Sequence, residues 1–591
     1  MDLHEAISQL IIDTKGPTEG GAGLFTPTSS VGLFLPEIVL CITIVMMLLV
    51  RVFHWGRRID AFYFIVAGSG LALYFASLGA PVVSERVEIF TGMLVYDSFS
   101  IFMRSILLLF VFLFAFLTKL TGIPDRQDGP DIYTLILGAT IGMCLMVSAN
   151  HLLMVFLAVE LASVPCYALV ALMKGRQQAS EAALKYAVYG AGAAGVMLYG
   201  ITLICGLTGS AHLPTVAANL AEQVPDMAGD ERMVLALGGL MLMVGLAFKL
   251  SAVPFHFWCP DVFEGATAEI NALLSVASKA AALALLVRVA IGIGVEVPRG
   301  LQAGYGNDHA HVDASALADT DGGLFAVEDQ LAPESLSPSD VAASETAGQI
   351  GIDQLAPVRA FIGRLVALLA ILTCTLGNLA AYPQTNIKRL LAYSTIAHAG
   401  YMMMAVPPIM ALAGGHPGAA EHAAAALAIY VTLYLFMNLG AFAVVALLRN
   451  AMRSEEIEDY SGLFRCCPGI VICFALMLFS LIGIPPLAGF IGKFAIFASL
   501  AEGYQTTGQS YLLLLLVVGG ANTAISLYYY LRLVKIMTMD LDATTRGPVA
   551  LPLVSLPGVY VVAITLPTVV LFFAWDFLND IALTAAQQLL G

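Results

Sequence analysis

Phe248-Lys249-Leu250-Ser251-Ala252-Val253-Pro254-Phe255-His256-Phe257-Trp258 is an apolar stretch with a lysine and a proline inside it. Gly483-Ile484-Pro485-Pro486-Leu487-Ala488-Gly489-Phe490-Ile491-Gly492-Lys493-Phe494 repeats that combination later in the chain. Read as membrane helices, Pro254 and the pair Pro485-Pro486 break the backbone ladder, because proline has no N–H to donate. A lysine stands within about two turns of each break. A lysine deep in hydrocarbon costs roughly 2.5 kcal/mol or more, and a freed carbonyl adds to that. Two such costs in corresponding places mark an ion path between two structural repeats.

The composition carries the membrane reading to the whole chain. Its 591 residues are 59% hydrophobic and 12% charged, with a mean hydropathy of +0.86, against roughly 25% charged for a soluble domain. Apolar runs near twenty residues fit spanning helices and exclude the shorter alternating strands of a barrel. The predicted fold class is therefore all-α: a polytopic membrane protein with about fourteen transmembrane helices and two inverted five-helix repeats with broken helices. Spans are predicted near 31–52, 61–80, 97–118, 131–149, 151–173, 181–207, 233–257, 269–294, 358–380, 387–407, 422–448, 468–500, 511–537 and 552–576. The organisation expected is an N-terminal segment 1–30, four leading helices over 31–149, a first repeat 131–294, an acidic loop 295–357, a second repeat 358–537 and a last helix within 538–591.

Lys and Arg follow the odd-numbered spans: Arg51, Arg57 and Arg58; Lys119 and Arg126; Lys174 and Arg176; Lys388 and Arg389; Arg449, Arg453 and Arg465; Arg532, Lys535 and Arg546. The even-numbered spans are followed by few, chiefly Arg86, Arg232 and Arg299. The positive-inside rule then puts both termini on the outer side.

The net charge of −15 argues against nucleic-acid binding. Much of it lies in the 296–357 stretch, whose composition predicts a solvated outer loop. Segment 1–30 lacks a cleavable signal pattern and has a helical pattern suited to the membrane surface. Cys466, Cys467 and Cys473 fit neither zinc nor iron–sulfur spacing, so the cysteines read as small buried side chains. Gly190-Ala191-Gly192-Ala193-Ala194-Gly195 matches a dinucleotide fingerprint. No strand precedes it, so it reads as a helix-packing face. No P-loop, flavin, haem, nicotinamide or metal motif is visible.

The charges predicted inside spans carry the functional reading, since such residues are functional by default. Glu160 is mid-span, as a partner for a buried lysine or as a carboxyl satisfied by a neighbouring helix. Lys185 either snorkels to the surface or pairs with Glu160. Lys249 precedes Pro254 and is expected near the carbonyl that the proline frees. Lys279 is mid-span among small residues and is the first candidate for a titrating site. His256 is either interfacial or a relay from Lys279 to the second half. His398 is mid-span in the second half; Lys388 at the start of the same span snorkels or pairs. Lys493 resembles Lys249 in position.

These residues sit in longer motifs: Phe248–Gly265 (FKLSAVPFHFWCPDVFEG), Ser275–Ala282 (SVASKAAA), Gln384–Tyr401 (QTNIKRLLAYSTIAHAGY), Ile482–Phe494 (IGIPPLAGFIGKF) and Ser526–Arg532 (SLYYYLR). In these the chain resembles the antiporter-like membrane subunits of respiratory complex I, NADH-quinone oxidoreductase, and among them the subunit N type. The resemblance implies a Glu160–Lys249 charge pair, a central proton site at Lys279 and an exit-side lysine at Lys493. It implies proton translocation in a bacterial plasma membrane, driven by quinone reduction elsewhere. NADH, FMN, iron–sulfur clusters and quinone are then expected on partner subunits, with none in this chain. Subunits of multi-subunit Na+/H+ antiporters share the motifs and remain the alternative. One departure stands out: Gly265-Ala266-Thr267-Ala268-Glu269 replaces a proline-rich turn usual in the family, and the gained Glu269 opens the eighth span.

Overall fold

Apolar segments of this length satisfy their own backbone only as helices, and the computed structural model is a helical bundle throughout. It describes residues 30–52, 60–79, 86–123, 128–173, 175–296, 354–541 and 551–590. The sequence expectations for segment 1–30 and the acidic loop fall almost entirely outside these residues.

Chain order begins with α1 (Leu35–Val52) and α2 (Ala61–Gly79), then a hairpin of β1 (Val87–Ile89) and β2 (Leu94–Tyr96), then α3 (Ser98–Thr121). A first five-span group comprises α4 (Gly129–Ser148), α5 (Leu152–Val170), α6 (Gln177–Thr208), a surface helix α7 (Leu213–Gln223), the broken span α8 (Gly229–Leu250) plus α9 (Trp258–Gly265), and α10 (Ala268–Ser275) continuing as α11 (Ala277–Gly294). A second group comprises α12 (Ala356–Ala381), α13 (Ile387–Met403) with α14 (Val406–Leu412), α15 (Pro417–Met452), the broken span α16 (Pro468–Ile482) plus α17 (Ala488–Thr507), and α18 (Ser510–Met539). The chain ends on α19 (Leu556–Phe573) and α20 (Trp575–Leu590). Among the described residues, twelve helices are long and apolar enough to cross a membrane. The shorter apolar helices Ala61–Ser77 and Pro468–Ile482 take the two remaining predicted places. Five crossings per group give the second group the opposite membrane orientation to the first.

Three spans are buried on nearly every side: Ala268–Gly294, Ile387–Leu412 and Pro417–Met452. They carry Lys279, His398 and a row of tyrosines, so the titratable groups sit in the innermost layer. The peripheral helices instead present Leu, Val and Tyr outward, as Leu157, Leu161 and Val164 do on α5 and Leu368, Leu372 and Leu376 on α12. In a membrane protein that apolar exterior faces lipid tails.

The two breaks expected at Pro254 and Pro485-Pro486 divide the spans drawn over 233–257 and 468–500, the first helix of each ending at Leu250 and Ile482. The chain does not end on the fourteenth span: α20 folds back against α3 and α15, and Gln588 Oε1 accepts from the Ser98 backbone N–H at 2.9 Å. The Gly190–Gly195 stretch packs only in part. Gly190 lies against the Tyr167 hydroxyl, while Gly192 and Gly195 face open space. The close helix crossing is instead at Gly200 on Gly238, between α6 and α8.

Candidate functional site

The two breaks satisfy their freed carbonyls differently. In the first, Ser251 ends α8 at φ +57°. The Phe248 carbonyl, in the last turn of α8, accepts the Ser251 N–H at 3.0 Å and the Trp258 indole N–H at 3.1 Å. The Val253 N–H donates to Thr373 Oγ1 of α12 at 2.9 Å, tying the first break to the second repeat. The bond of Lys249 goes to a side chain of α5, where the sequence expectation is the carbonyl that Pro254 frees. Lys249 is 1% exposed and donates to Ser163 Oγ of α5 at 3.0 Å. Glu160, one turn earlier on α5, is half-buried and acts on the Lys249 charge.

In the second break the Ile482 carbonyl would take its helical donor from residue 486, which is proline and has none. Lys493 reaches back and donates to that carbonyl at 2.9 Å, with its ammonium 4.4 Å from the centre of the Tyr401 ring. Gly483 at φ +90° turns the chain. Gly489 lets the next helix start so close that a Cβ would sit 1.8 Å from the Ser480 carbonyl. Lys249 thus precedes its break on the helix chain, whereas Lys493 follows its own. The two are related as lysines beside breaks, not as equivalent positions.

Lys279, 1% exposed, lies about 17 Å along the eighth span, and its ammonium has no hydrogen-bond partner among the described residues. Cys259 of α9 is beside it. His398 of α13 feels the charges of both Lys279 and Lys493. Its Nδ1 is 2.8 Å from the Tyr430 hydroxyl, its Nε2 is 3.3 Å from the Tyr530 hydroxyl, and Tyr530 in turn meets Ser394. The Tyr434 ring lies 5.3 Å from the imidazole. His398, not His256, thus stands between the lysines of the two halves. His256 is part-exposed beside Phe257, and its Nδ1 has no partner among the described residues. Glu160 and Lys249 thus make one linked set in the first repeat, and Lys279, His398 and Lys493 a second set that joins the two repeats.

The remaining predicted residues belong to one end of the molecule. Lys185 pairs with Glu181 and Asp261 at 2.8 Å each, which replaces the pairing to Glu160 considered from sequence. Lys388, 0% exposed, uses all three ammonium donors: on Glu455 at 2.8 Å, and on the Glu264 and Ala266 carbonyls at 2.7 and 2.8 Å. Arg389 bonds Asp261 and Glu264, and Arg449 bonds Glu269. Cations of the second repeat thereby clasp carboxylates of the first. The Arg449–Glu269 pair also supplies the gained acid at the turn with its counter-charge.

Several charged residues inside predicted spans were passed over in the sequence reading although their depth alone marks them. Arg104 pairs with Glu37, and Arg288 pairs with Asp97, which also caps α3 through the Ser100 N–H at 2.8 Å. Arg288 Nε further donates to the Val147 carbonyl at 2.9 Å. The hydroxyls of Ser163, Tyr430 and Tyr530 had no signal apart from their position on helix faces. At the hairpin end, Glu88, Asn150 and His212 form a cluster, with His212 Nε2 3.1 Å from both Glu88 Oε2 and Asn150 Nδ2. Burial pushes the Glu88 carboxyl up, but the His212 hydrogen bond and charge, with Arg86 and Asn150, outweigh it and hold it below the ordinary value.

Two five-span groups with a broken helix in each, enclosing buried lysines and a histidine, define an antiporter-like membrane subunit. The family profile described as NADH:quinone oxidoreductase/Mrp antiporter, TM, matches residues 149–297 and 344–521, the two groups in turn. NADH-quinone oxidoreductase subunit N of an Anaeromyxobacter species is 35% identical over 87% of this chain and 89% of its own length. The chain belongs to the subunit N family. A chain of Thermus thermophilus respiratory complex I superposes with a TM-score of 0.64 at 27% identity, over 92% of this chain and 98% of its own. A chain of the Mrp complex from a Dietzia species gives 0.69 at 16% identity, over 95% and 99%, a likeness of fold alone.

Proposed function

We propose that this chain is a proton-translocating membrane subunit of a bacterial NADH:quinone oxidoreductase, in the plasma membrane, assembled with other membrane and peripheral subunits. Quinone reduction, with NADH, FMN and iron–sulfur clusters, belongs to those partners. The observation that carries the reading is the set of buried charges Glu160, Lys249, Lys279, His398 and Lys493 inside a membrane bundle, with Lys249 and Lys493 beside the broken helices, in a chain of the subunit N family.

In this reading the ion path runs through these groups. The proton affinity of a buried amine depends on the charges beside it. Glu160 and Lys249 set the charge at one end. Lys279, free of hydrogen bonds to the described residues, takes and releases the transported proton. His398, with Tyr430 and Tyr530, links Lys279 to Lys493, and Lys493 faces the opened backbone at Ile482. Driving one proton against the membrane potential takes about 2.3 kcal/mol per 100 mV, which the partner subunits supply. The Lys/Arg bias assigns the end bearing Lys119, Arg389 and Arg449 to the inner side.

The test is proton pumping coupled to quinone reduction in vesicles, with assembly checked on native gels. Lys279→Ala and Lys279→Arg are both expected to lose most of it, because guanidinium does not release a proton in proteins. An assembled Lys279→Arg complex pumping at the parent rate removes Lys279 from the path. Co-purification with redox subunits separates this reading from a self-standing cation/proton antiporter.

A further inference from the structure

Glu269 has a role to explain, since the turn that carries it departs from the family's usual proline-rich form. Its carboxylate is 1% exposed. It lies in the first turn of α10, the helix that continues into Lys279 about 15 Å further along. Its hold on Arg449 is the loosest of the buried ion pairs here. The N–O distances are 3.2 and 3.4 Å, against 2.8 Å for Lys388–Glu455 and about 2.7–2.9 Å for a tight charge-assisted bond. Arg449 also shares its guanidinium with Asn450 Oδ1 at 3.0 Å.

Two further buried groups stand near this stretch of the eighth span. Asn271 gives its amide N–H to the Phe263 carbonyl at 2.7 Å, yet its Oδ1 has no partner among the described residues. On α15, packed antiparallel against α10, Asn438 gives its N–H to Tyr434 while its Oδ1 is likewise unpartnered. Asn438 precedes Arg449 by about 16 Å of helix, which brings it to the depth of Lys279. Buried polar atoms are as a rule satisfied by protein or by internal water. Asn271 Oδ1, Asn438 Oδ1 and the Lys279 ammonium are therefore the buried positions, between the depth of Glu269 and that of Lys279, at which internal water would complete a track.

We infer that Glu269 is a proton-loading residue, which captures a proton at the basic end and delivers it along this track to Lys279. The inference rests on the proposed function. The carboxylate of Glu269 takes one proton from the inner aqueous side and becomes a neutral acid, which slackens its pairing to Arg449. The acid then gives that proton, through water, to Lys279 in its amine form. The carboxylate returns to Arg449 and Lys279 becomes an ammonium. Glu269 is bonded by Arg449, which also holds Asn450 of α15. Lys388, with its partner Glu455, stands near the charges of Arg449 and Arg176, and Arg389 with Asp261 and Glu264 adjoins Lys388. Thr121 of α3 closes the site through its carbonyl on Asn450.

The experiment measures coupled pumping of assembled complexes carrying Glu269→Gln, Glu269→Asp, the double change Glu269→Gln with Arg449→Gln, and Lys279→Ala. Glu269→Gln should lower pumping about ten-fold or more, the low end of general acid–base effects being larger still. Its rate should fall more steeply than the parent's as the inner pH rises, because protons must then reach Lys279 without a capturing carboxylate. Glu269→Asp should recover most of the rate. The double variant should stay as deficient as Glu269→Gln. If the double variant recovers pumping, Glu269 only neutralises Arg449 and the inference is overturned. Parent-rate pumping by Glu269→Gln beside a deficient Lys279→Ala overturns it too and leaves the proposed function standing; parent-rate pumping by Lys279→Ala sinks both.

Discussion

The central lysines meet the cost of burial in three ways. Lys493 spends its charge on the carbonyl that Pro486 leaves open, Lys249 on a serine hydroxyl with a carboxylate nearby, and Lys279 on nothing among the described residues. Glu160→Gln keeps the shape and removes the charge that acts on Lys249. It is expected to impair turnover while leaving the complex assembled on native gels; an assembled complex with normal pumping rules out the pairing. At the hairpin end Glu88 makes a pH prediction with a definite sign. Its carboxyl is held below the ordinary value. Its contribution to stability is therefore complete above about pH 4.5 and lost as pH falls through its lower folded value. Thermal melting in detergent should show this acid-side loss in the parent, and Glu88→Gln should flatten it.

Broken helices normally leave polar backbone in a place that cannot hydrate it, and here each break recruits a specific donor. Trp258 serves the first, by an indole that also stacks on Tyr186 with ring centres 4.3 Å apart. Trp258→Phe removes one of the two donors to the Phe248 carbonyl, which keeps the Ser251 N–H, a loss of about 0.5–1.5 kcal/mol. A slightly lower melting temperature with the fold otherwise retained is the expected outcome; an unchanged melt means that the Ser251 N–H suffices for the carbonyl. The second break uses Lys493 for the same duty, so one side chain joins backbone repair to the buried charges. The carbonyl that Pro486 cannot serve is thereby satisfied inside the bundle.

Across the whole molecule the two repeats are joined at two levels. At mid-depth Thr373 holds the Val253 N–H and His398 faces both Lys279 and Lys493. At the basic end Lys388, Arg389 and Arg449 of the second repeat clasp Glu264, Asp261 and Glu269 of the first, by backbone or side chain. Charge changes in one repeat therefore have direct partners in the other. The orientation assigned by the Lys/Arg bias predicts that a cysteine placed at Gln509 reacts with an impermeant maleimide added outside intact cells. One placed at Ser454 should react only in inside-out vesicles. The reverse pattern overturns the orientation of both repeats.

The number of spans, the two breaks and the buried lysines were legible from the chain because each is local. Twenty apolar residues, a proline in their midst and a charge at mid-depth leave few physical options in hydrocarbon. The motifs from Phe248 and Ile482 carried the family for the same reason. What the chain alone could not supply was which group each side chain meets. Lys185 turned to Asp261 instead of Glu160, Lys249 turned to the Ser163 hydroxyl instead of a backbone carbonyl, and His398 instead of His256 came to stand between the halves. Those outcomes depend on which helix faces approach one another across hundreds of residues. Sequence spacing fixes the depth of a residue along its own helix, while the rotation and neighbours of that helix are set by packing of the whole bundle.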